Sequence, residues 1–287
     1  MRMSSPPRHP TCLFFRDPTL RAYNNISLSI YNCSLPILRK KNIHRFGFWL
    51  FCVLTLISDR AYGTYSVLFF SDRSFFVAGI DTKVHAKYGD GTEKYSFSCK
   101  ITSLDATHFF MAIGRFGVID QGVTYDVYSI AHDVAKTEST TAGIANAWDR
   151  VTADILSRVS PSALSKPGTN EIVSGVFFGI DAGEIAVRQD TFLLEANRPI
   201  LKAQAIHPIQ DYAWHIQQNH AELAAAFVHD NVTGMSDSPY KWANDLSGLR
   251  KYMISNSNDP EIGGDISIVI VRPNATAEWF SKPDVCK

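Results

Sequence analysis

The sequence lacks the spacings that betray metal or dithiol chemistry. Across 287 residues there is no CxxC pair and no HExxH, and the nine His show no ligand spacing, so neither a metal site nor a cofactor is expected. A charge surplus is missing too. The 28 Lys+Arg balance 28 Asp+Glu, which argues against nucleic acid as the main partner. Cysteine is scarce, five in all. No stretch has the length of a membrane span: the apolar run Phe46–Ile57 has twelve residues, whereas a spanning helix takes about 17–25. No internal repeat is present. What remains is ordinary for a soluble globular chain, with 45% hydrophobic and 20% charged residues, enough for one sizeable core or two small ones.

The zero average conceals a division. Residues 1–63 hold nine Lys/Arg, among them Arg39, Lys40, Lys41 and Arg45, against Asp17 and Asp59. Of the 28 and 28, residues 64–287 then keep 19 basic and 26 acidic, a formal charge of −7, so the two parts differ in character and in expected fate. From Arg39 the chain reads RKKNIHR, then the apolar run, then SDRAYG before Thr64, with Ala61 and Gly63 at the −3 and −1 positions of a secretory cleavage site. Residues 39–63 are therefore expected to act as a signal-peptide-like segment that meets the membrane only transiently and is removed. Residues 1–38 mix Pro, Arg, Asn and scattered apolar residues without a period, and are expected to be disordered. The product, 64–287, is then exported to a periplasm or secreted. The ordinary reading of the apolar run is a membrane anchor or a buried core helix; if the leader is not a signal peptide, the protein stays cytoplasmic.

Within 64–287, TYSVLFF (Thr64–Phe70) and FFVAGIDT (Phe75–Thr82) are β-rich runs around a polar turn, a hairpin signal. A polar stretch, His85–Ser98, precedes two short strands at Cys99–Ser103 and His108–Ile113. Helical character takes over from about Val123, with Val127, Ile130, Ala131 and Val134 and then Ile144, Ala147, Trp148, Val151 and Ile155 at three- and four-residue spacing. Thr140 and Thr141 are cap candidates for the second helix. Strands resume at Ile172–Ile180 and Glu184–Leu194, helical patterns return at Ile209–Val228 and Tyr240–Ser255, and a last pair of strands covers Asp265–Arg272 and Ala277–Phe280. The order of sheet, two helices, sheet, two helices, sheet predicts an α+β fold, a four-layer αββα sandwich in which each sheet buries one face on the other and one under helices.

Five short pieces then stand in a telling order: Gly63-Thr64 opening the first hairpin, VAGID ending at Asp81, CKI carrying Lys100, MAIG ending at Gly114 fourteen residues after Lys100, and NDPEIGGDISIVIV carrying Asp259 and Gly263-Gly264. In this order and spacing the chain resembles proteasome β subunits and the related bacterial peptidases, the N-terminal-nucleophile (Ntn) hydrolases. The resemblance runs over most of 64–287 and is weak between about 195 and 245. It implies that Thr64, freed at the Gly63–Thr64 bond, is the nucleophile; that Asp81 and Lys100 are the acid and lysine of its site; that Gly114 lends an N–H to the oxyanion hole; and that Asp259 is the acid before the last long strand. Two departures stand out. Ile262 occupies the position of a small hydroxyl residue, and the Gly/Ser-rich segment ahead of the family's third helix has no clear counterpart.

The chemistry asks for these residue types. A threonine hydroxyl needs a base to take its proton, and a free α-amine on the same residue serves; its ordinary pKa is about 8. A nearby ammonium lowers that value and favours the alkoxide. Taken singly, each residue has an ordinary role: Asp81 as a strand end, Lys100 as a snorkelling lysine, Gly114 as a turn glycine, Asp259-Pro260 as a helix stop. Taken together they imply an N-terminal threonine hydrolase whose partner is a peptide or small amide substrate, with homo-oligomer formation implied by the family. The alternatives are an inactive binding or structural subunit, which Ile262 would mark, and an amidase or acylase for small amides. In an oxidising compartment Cys99 and Cys286, the two cysteines after Thr64, are the pair available for a disulfide; elsewhere they are free thiols.

Overall fold

The computed structural model describes residues 25–28, 66–71, 74–87, 92–166, 169–206, 213–217, 227, 238–256, 262–273 and 275–287. The fold is mixed α/β. One sheet has six strands, β1 (Asn25–Leu28), β13 (Ala213–Gln217), β2 (Ser66–Ser71), β3 (Phe75–Asp81), β14 (Ile266–Val271) and β15 (Glu278–Ser281), in that spatial order. The other has five, in the order β12 (Arg198–Ile206), β11 (Glu184–Glu195), β10 (Glu171–Asp181), β7 (His108–Gly114) and β6 (Ile101–Ser103). Every pairing in both sheets is antiparallel. Two hairpins stand apart, β4 (Lys83–Lys87) with β5 (Glu93–Phe97) and β8 (Gly117–Asp120) with β9 (Val123–Asp126). The helices are α1 (Val127–Ala135), α2 (Thr141–Leu156), the single turn α3 (Pro161–Leu164) and α4 (Pro239–Asn256).

The central strands read as unbroken apolar runs because both their faces are covered, and the period of two then sorts the side chains between two cores. On β7, Phe109, Met111 and Ile113 meet Val176 and Phe178 of β10 and Phe76, Ala78 and Ile80 of β3 in a core between the sheets. Their neighbours Phe110 and Ala112 turn the other way, into a core with α1, α2, Phe177 and Phe192. Phe75 and Val77 of β3 and Ile266, Ile268 and Ile270 of β14 face Trp242, Leu246, Leu249 and Met253 of α4. Trp148 of α2 is fully buried, with ring centres 5.5–5.8 Å from those of Phe110, Phe177 and Phe192. Truncation of such a residue costs about 3–5 kcal/mol.

Capping fixes where the helices begin. The Asp126 carboxylate accepts from the Tyr128 and Ser129 N–H groups at 3.0 and 3.1 Å, and the Thr140 hydroxyl accepts from the Gly143 N–H at 3.1 Å, contacts worth about 1 kcal/mol each. Helix α1 thus starts at Val127 rather than near Val123, where the sequence pattern suggests it; Val123–Asp126 pair with Gly117–Asp120 instead. The helical pattern over Ile209–Val228 is also corrected in part. Ala213–Gln217 form a strand between β1 and β2, with His215 opposite both Ser27 and Leu68. AWHIQ alternates large apolar and polar residues, and pairing on both sides outweighs the local helical spacing. Asn25–Leu28 lie in the segment expected to be disordered, and they form the edge strand beside β13. The polar stretch His85–Ser98 takes part in a strand pair, Lys83–Lys87 with Glu93–Phe97, that the sequence pattern does not announce.

Candidate functional site

Asp81 ends β3, and Lys100 stands one residue ahead of β6 in the other sheet. Each is polar at the edge of an apolar strand, and the packing of the two sheets brings them together. The Lys100 Nζ donates to the Asp81 Oδ1 at 3.0 Å, and neither side chain has any solvent exposure. The other carboxylate oxygen, Oδ2, accepts from the Gly263 N–H at 3.3 Å. The Phe116 ring lies 5.6 Å from the Lys100 Nζ, and the Tyr128 hydroxyl donates to the Lys100 carbonyl at 3.2 Å. The buried cation is thus held by a carboxylate and an aromatic face, while the Tyr128 hydroxyl anchors the backbone of its residue.

The loop before β14 closes the other side. Thr82 exchanges two bonds with Asp265: its N–H donates to the Asp265 carbonyl and its hydroxyl accepts from the Asp265 N–H, both at 2.9 Å. Gly264 has φ +73°, and a Cβ there would lie 2.4 Å from the Thr82 hydroxyl oxygen, so both the conformation and the space call for glycine. Ile262, standing where the resemblance has a hydroxyl residue, is 5% exposed and joins the α4-facing core with Phe75 and Leu246. The same loop therefore sends one residue into the core and the next one's N–H to Asp81.

Gly114 ends β7 with φ +92°, and a Cβ there would meet the Ile172 carbonyl oxygen at 2.7 Å. The chain turns at this point, Arg115 N–H donating to the Ile172 carbonyl at 2.8 Å, and two residues later Phe116 reaches Lys100. Of the residues singled out from the sequence, Asp81 and Lys100 are in contact, and Gly114 lies on the strand that pairs with β6, Ile101 opposite Met111. Gly63, Thr64 and Asp259 lie outside the described residues. Cys99 and Cys286 are joined by a disulfide, with Cα atoms 4.8 Å apart. Gly263, Phe116 and Tyr128 were not singled out as partners of the pair. Their parts depend on a backbone N–H, a ring face and a hydroxyl aimed at a carbonyl, none of which leaves a spacing signature.

Two further polar clusters are half-buried. His108 stands between carboxylates, its Nδ1 2.7 Å from Asp105 Oδ2 and its Nε2 2.8 Å from Asp181 Oδ1. Burial alone would lower its pKa, but the bonds to Asp181 and Asp105 outweigh burial and hold it above the ordinary imidazole value. Between α2 and β11, Arg188 donates to Asp190, Asp149 and Asn146 at 2.7, 2.8 and 2.7 Å. Burial and then the Asp190 charge push the Asp149 carboxyl up to about 7, against the pull of Arg188. No group of three or more His, Cys, Asp or Glu among the described residues is placed to hold a metal ion.

No family model matches the chain. Comparison with curated proteins finds no match either.

Proposed function

We propose that the chain is an N-terminal threonine hydrolase, built as a four-layer αββα sandwich of the proteasome-subunit type and cleaving peptide or other amide bonds through an acyl-enzyme on Thr64. The observation that carries this reading is the buried Lys100–Asp81 pair, 3.0 Å apart and without solvent exposure. Removing two charges from water costs more than a well-packed apolar pair would, so such a pair is a poor device for stability and a good one for chemistry. The three cores, α4 against the six-stranded sheet, sheet against sheet, and the five-stranded sheet against α1 and α2, support the layer order.

The reading requires Thr64, which precedes the first described β2–β3 pair, Ser66 with Ile80, to reach the Lys100–Asp81 pair. The Thr64 α-amine takes the hydroxyl proton, the Lys100 ammonium favours the alkoxide, and Asp81 keeps the ammonium oriented. The Gly114 N–H donates to the tetrahedral oxyanion; loss of one such donor costs about 10²–10³ in rate. Asp259 is carried over from the resemblance as the acid before the last long strand, and water then releases the acyl group. We further propose removal of residues 1–63 on export, and assembly of the product into a homo-oligomer.

The test is the intact mass of the product from a host with an export pathway, followed by a threonine-directed electrophile. A species beginning at Thr64 that takes up one equivalent of reagent at that residue supports the reading; a species keeping residues before Thr64 sinks it. A Thr64→Ala chain that is still cut after Gly63 assigns the cut to a signal peptidase rather than to self-processing. A second reading, a non-catalytic binding subunit, is favoured by Ile262, whose burial in the α4-facing core leaves no hydroxyl at that position. Cleavage before Thr64 with no uptake of the electrophile selects it.

A further inference from the structure

The two sheets are joined twice at one end of the molecule, once by charge and once by a covalent bond. Lys100 precedes β6, an edge strand of the five-stranded sheet, and Asp81 ends β3 of the six-stranded sheet. Cys99 is peptide-bonded to Lys100. Its disulfide partner Cys286 lies in the 3-10 turn Asp284–Cys286 that follows β15, the edge strand of the six-stranded sheet. The Cys286 Sγ is also 3.4 Å from the Ser267 hydroxyl, and Ser267 pairs in register with Ile80, the neighbour of Asp81.

We propose that the Cys99–Cys286 disulfide is a redox lock on the buried Lys100–Asp81 pair: closed, it holds Lys100 against Asp81, and its reduction frees the edge that carries Lys100. Both cysteines are half-buried, and Asp284, Val285 and Lys287 around the second are exposed, so a dithiol reaches the bridge while the ion pair beside it stays dry. Strand β6 is three residues long and is paired on one side only, to β7. With the bridge open, the stretch before it keeps the bond from the Ser98 N–H to the Thr82 carbonyl and that from the Tyr128 hydroxyl to the Lys100 carbonyl. Both hold backbone, whereas the ammonium itself is held by Asp81 and lies over the Phe116 ring.

The step balances. A dithiol attacks one sulfur as its thiolate, a mixed disulfide forms, and the other cysteine leaves as a thiolate. The second thiol of the reductant then displaces the first cysteine. Two electrons and two protons pass to the protein, giving two cysteine thiols and one oxidised dithiol. The consequence for catalysis rests on the proposed hydrolase reading, since an ammonium released from Asp81 no longer lowers the pKa of the Thr64 amine.

The experiment is a pulse of acetic anhydride on the full-chain product, with acetylation of Lys100 read by peptide mass mapping before and after dithiothreitol, and in Cys286→Ser without reductant. The lock predicts that Lys100 acetylates at least about ten-fold faster once the bridge is open, while amide exchange of Val176–Phe178 in the core between the sheets is unchanged. An unchanged Lys100 rate in the reduced wild type overturns the proposal, even where Cys286→Ser fails to fold. Equal loss of protection in Val176–Phe178 overturns it as well, because the bridge is then a general staple. The electrophile separates the two readings: adduct formation at Thr64 that slows on reduction supports both, and no adduct in either state, with Lys100 released on reduction, sinks the hydrolase while the lock stands.

Discussion

At the residue scale, Lys100 and Gly114 are constrained in different ways. Replacing Lys100 by Ala leaves the Asp81 carboxylate buried with only part of its hydrogen bonding, so a loss of about 3–5 kcal/mol is expected in denaturant unfolding. Lys100→Met with Asp81→Leu removes both charges and should recover most of that loss, since an apolar pair of similar volume packs without desolvation. Both variants are expected to lose reactivity toward the threonine-directed electrophile, which separates chemistry from stability. Gly114→Ala meets a backbone carbonyl at 2.7 Å from a φ of +92°. Its expected cost is about 1–3 kcal/mol, read as a shift of the unfolding midpoint. The lysine's pairing with Asp81 was implied by the resemblance; the glycine's close approach to the Ile172 carbonyl was not legible in the sequence.

Pairs of elements carry the pH response. The His108 latch ties the start of β7 and the Asp105 turn to Asp181 at the end of β10, and Asp181 also accepts from the N–H of Thr141, the first residue of α2, at 3.0 Å. Thr107 and Thr141 add hydroxyls around the same groups. Because the folded pKa of His108 is raised, its contribution is complete below the ordinary imidazole value and is lost as pH climbs through the folded one. The stability advantage of wild type over His108→Gln should therefore shrink toward alkaline pH. Asp149 works through a lower window. Its carboxyl is raised from 3.8 to about 7, so the folded state holds a proton the unfolded state gives up. Wild type should lose ground to Asp149→Asn as pH rises through that interval, and no further above it. Urea unfolding of the two variants and wild type from pH 4 to 9 checks both arms; a flat difference in either removes the assigned group. The spacing of Val127, Ile130, Ala131 and Val134 made α1 readable from sequence. The β8–β9 and β4–β5 hairpins were not, because their strands are four or five residues long and largely solvated.

For the whole molecule, the Cys99–Cys286 bridge spans 187 residues of sequence, and cross-links of long loops stabilise by about 2–4 kcal/mol through the unfolded state. Cys286→Ser should lower the thermal midpoint accordingly, and reduction of wild type should produce the same shift; a difference between the two would trace to the Ser267 contact. By itself the sequence determined the two-sided strands, since FFVAGI, HFFMAIG, IVSGVFFGI and ISIVIV have no polar face to give to water. It also determined the start of α2 at Thr140, through a short side chain that caps only its own next turn. Tertiary structure alone decided that Ala213–Gln217 is a strand, that Ile262 is core, and that Gly263 and Phe116 join the Lys100–Asp81 pair, whose meeting the resemblance implied. The physical reason is range: periodicity and capping act within a few residues, whereas a buried charge finds its partner only when two sheets close on each other.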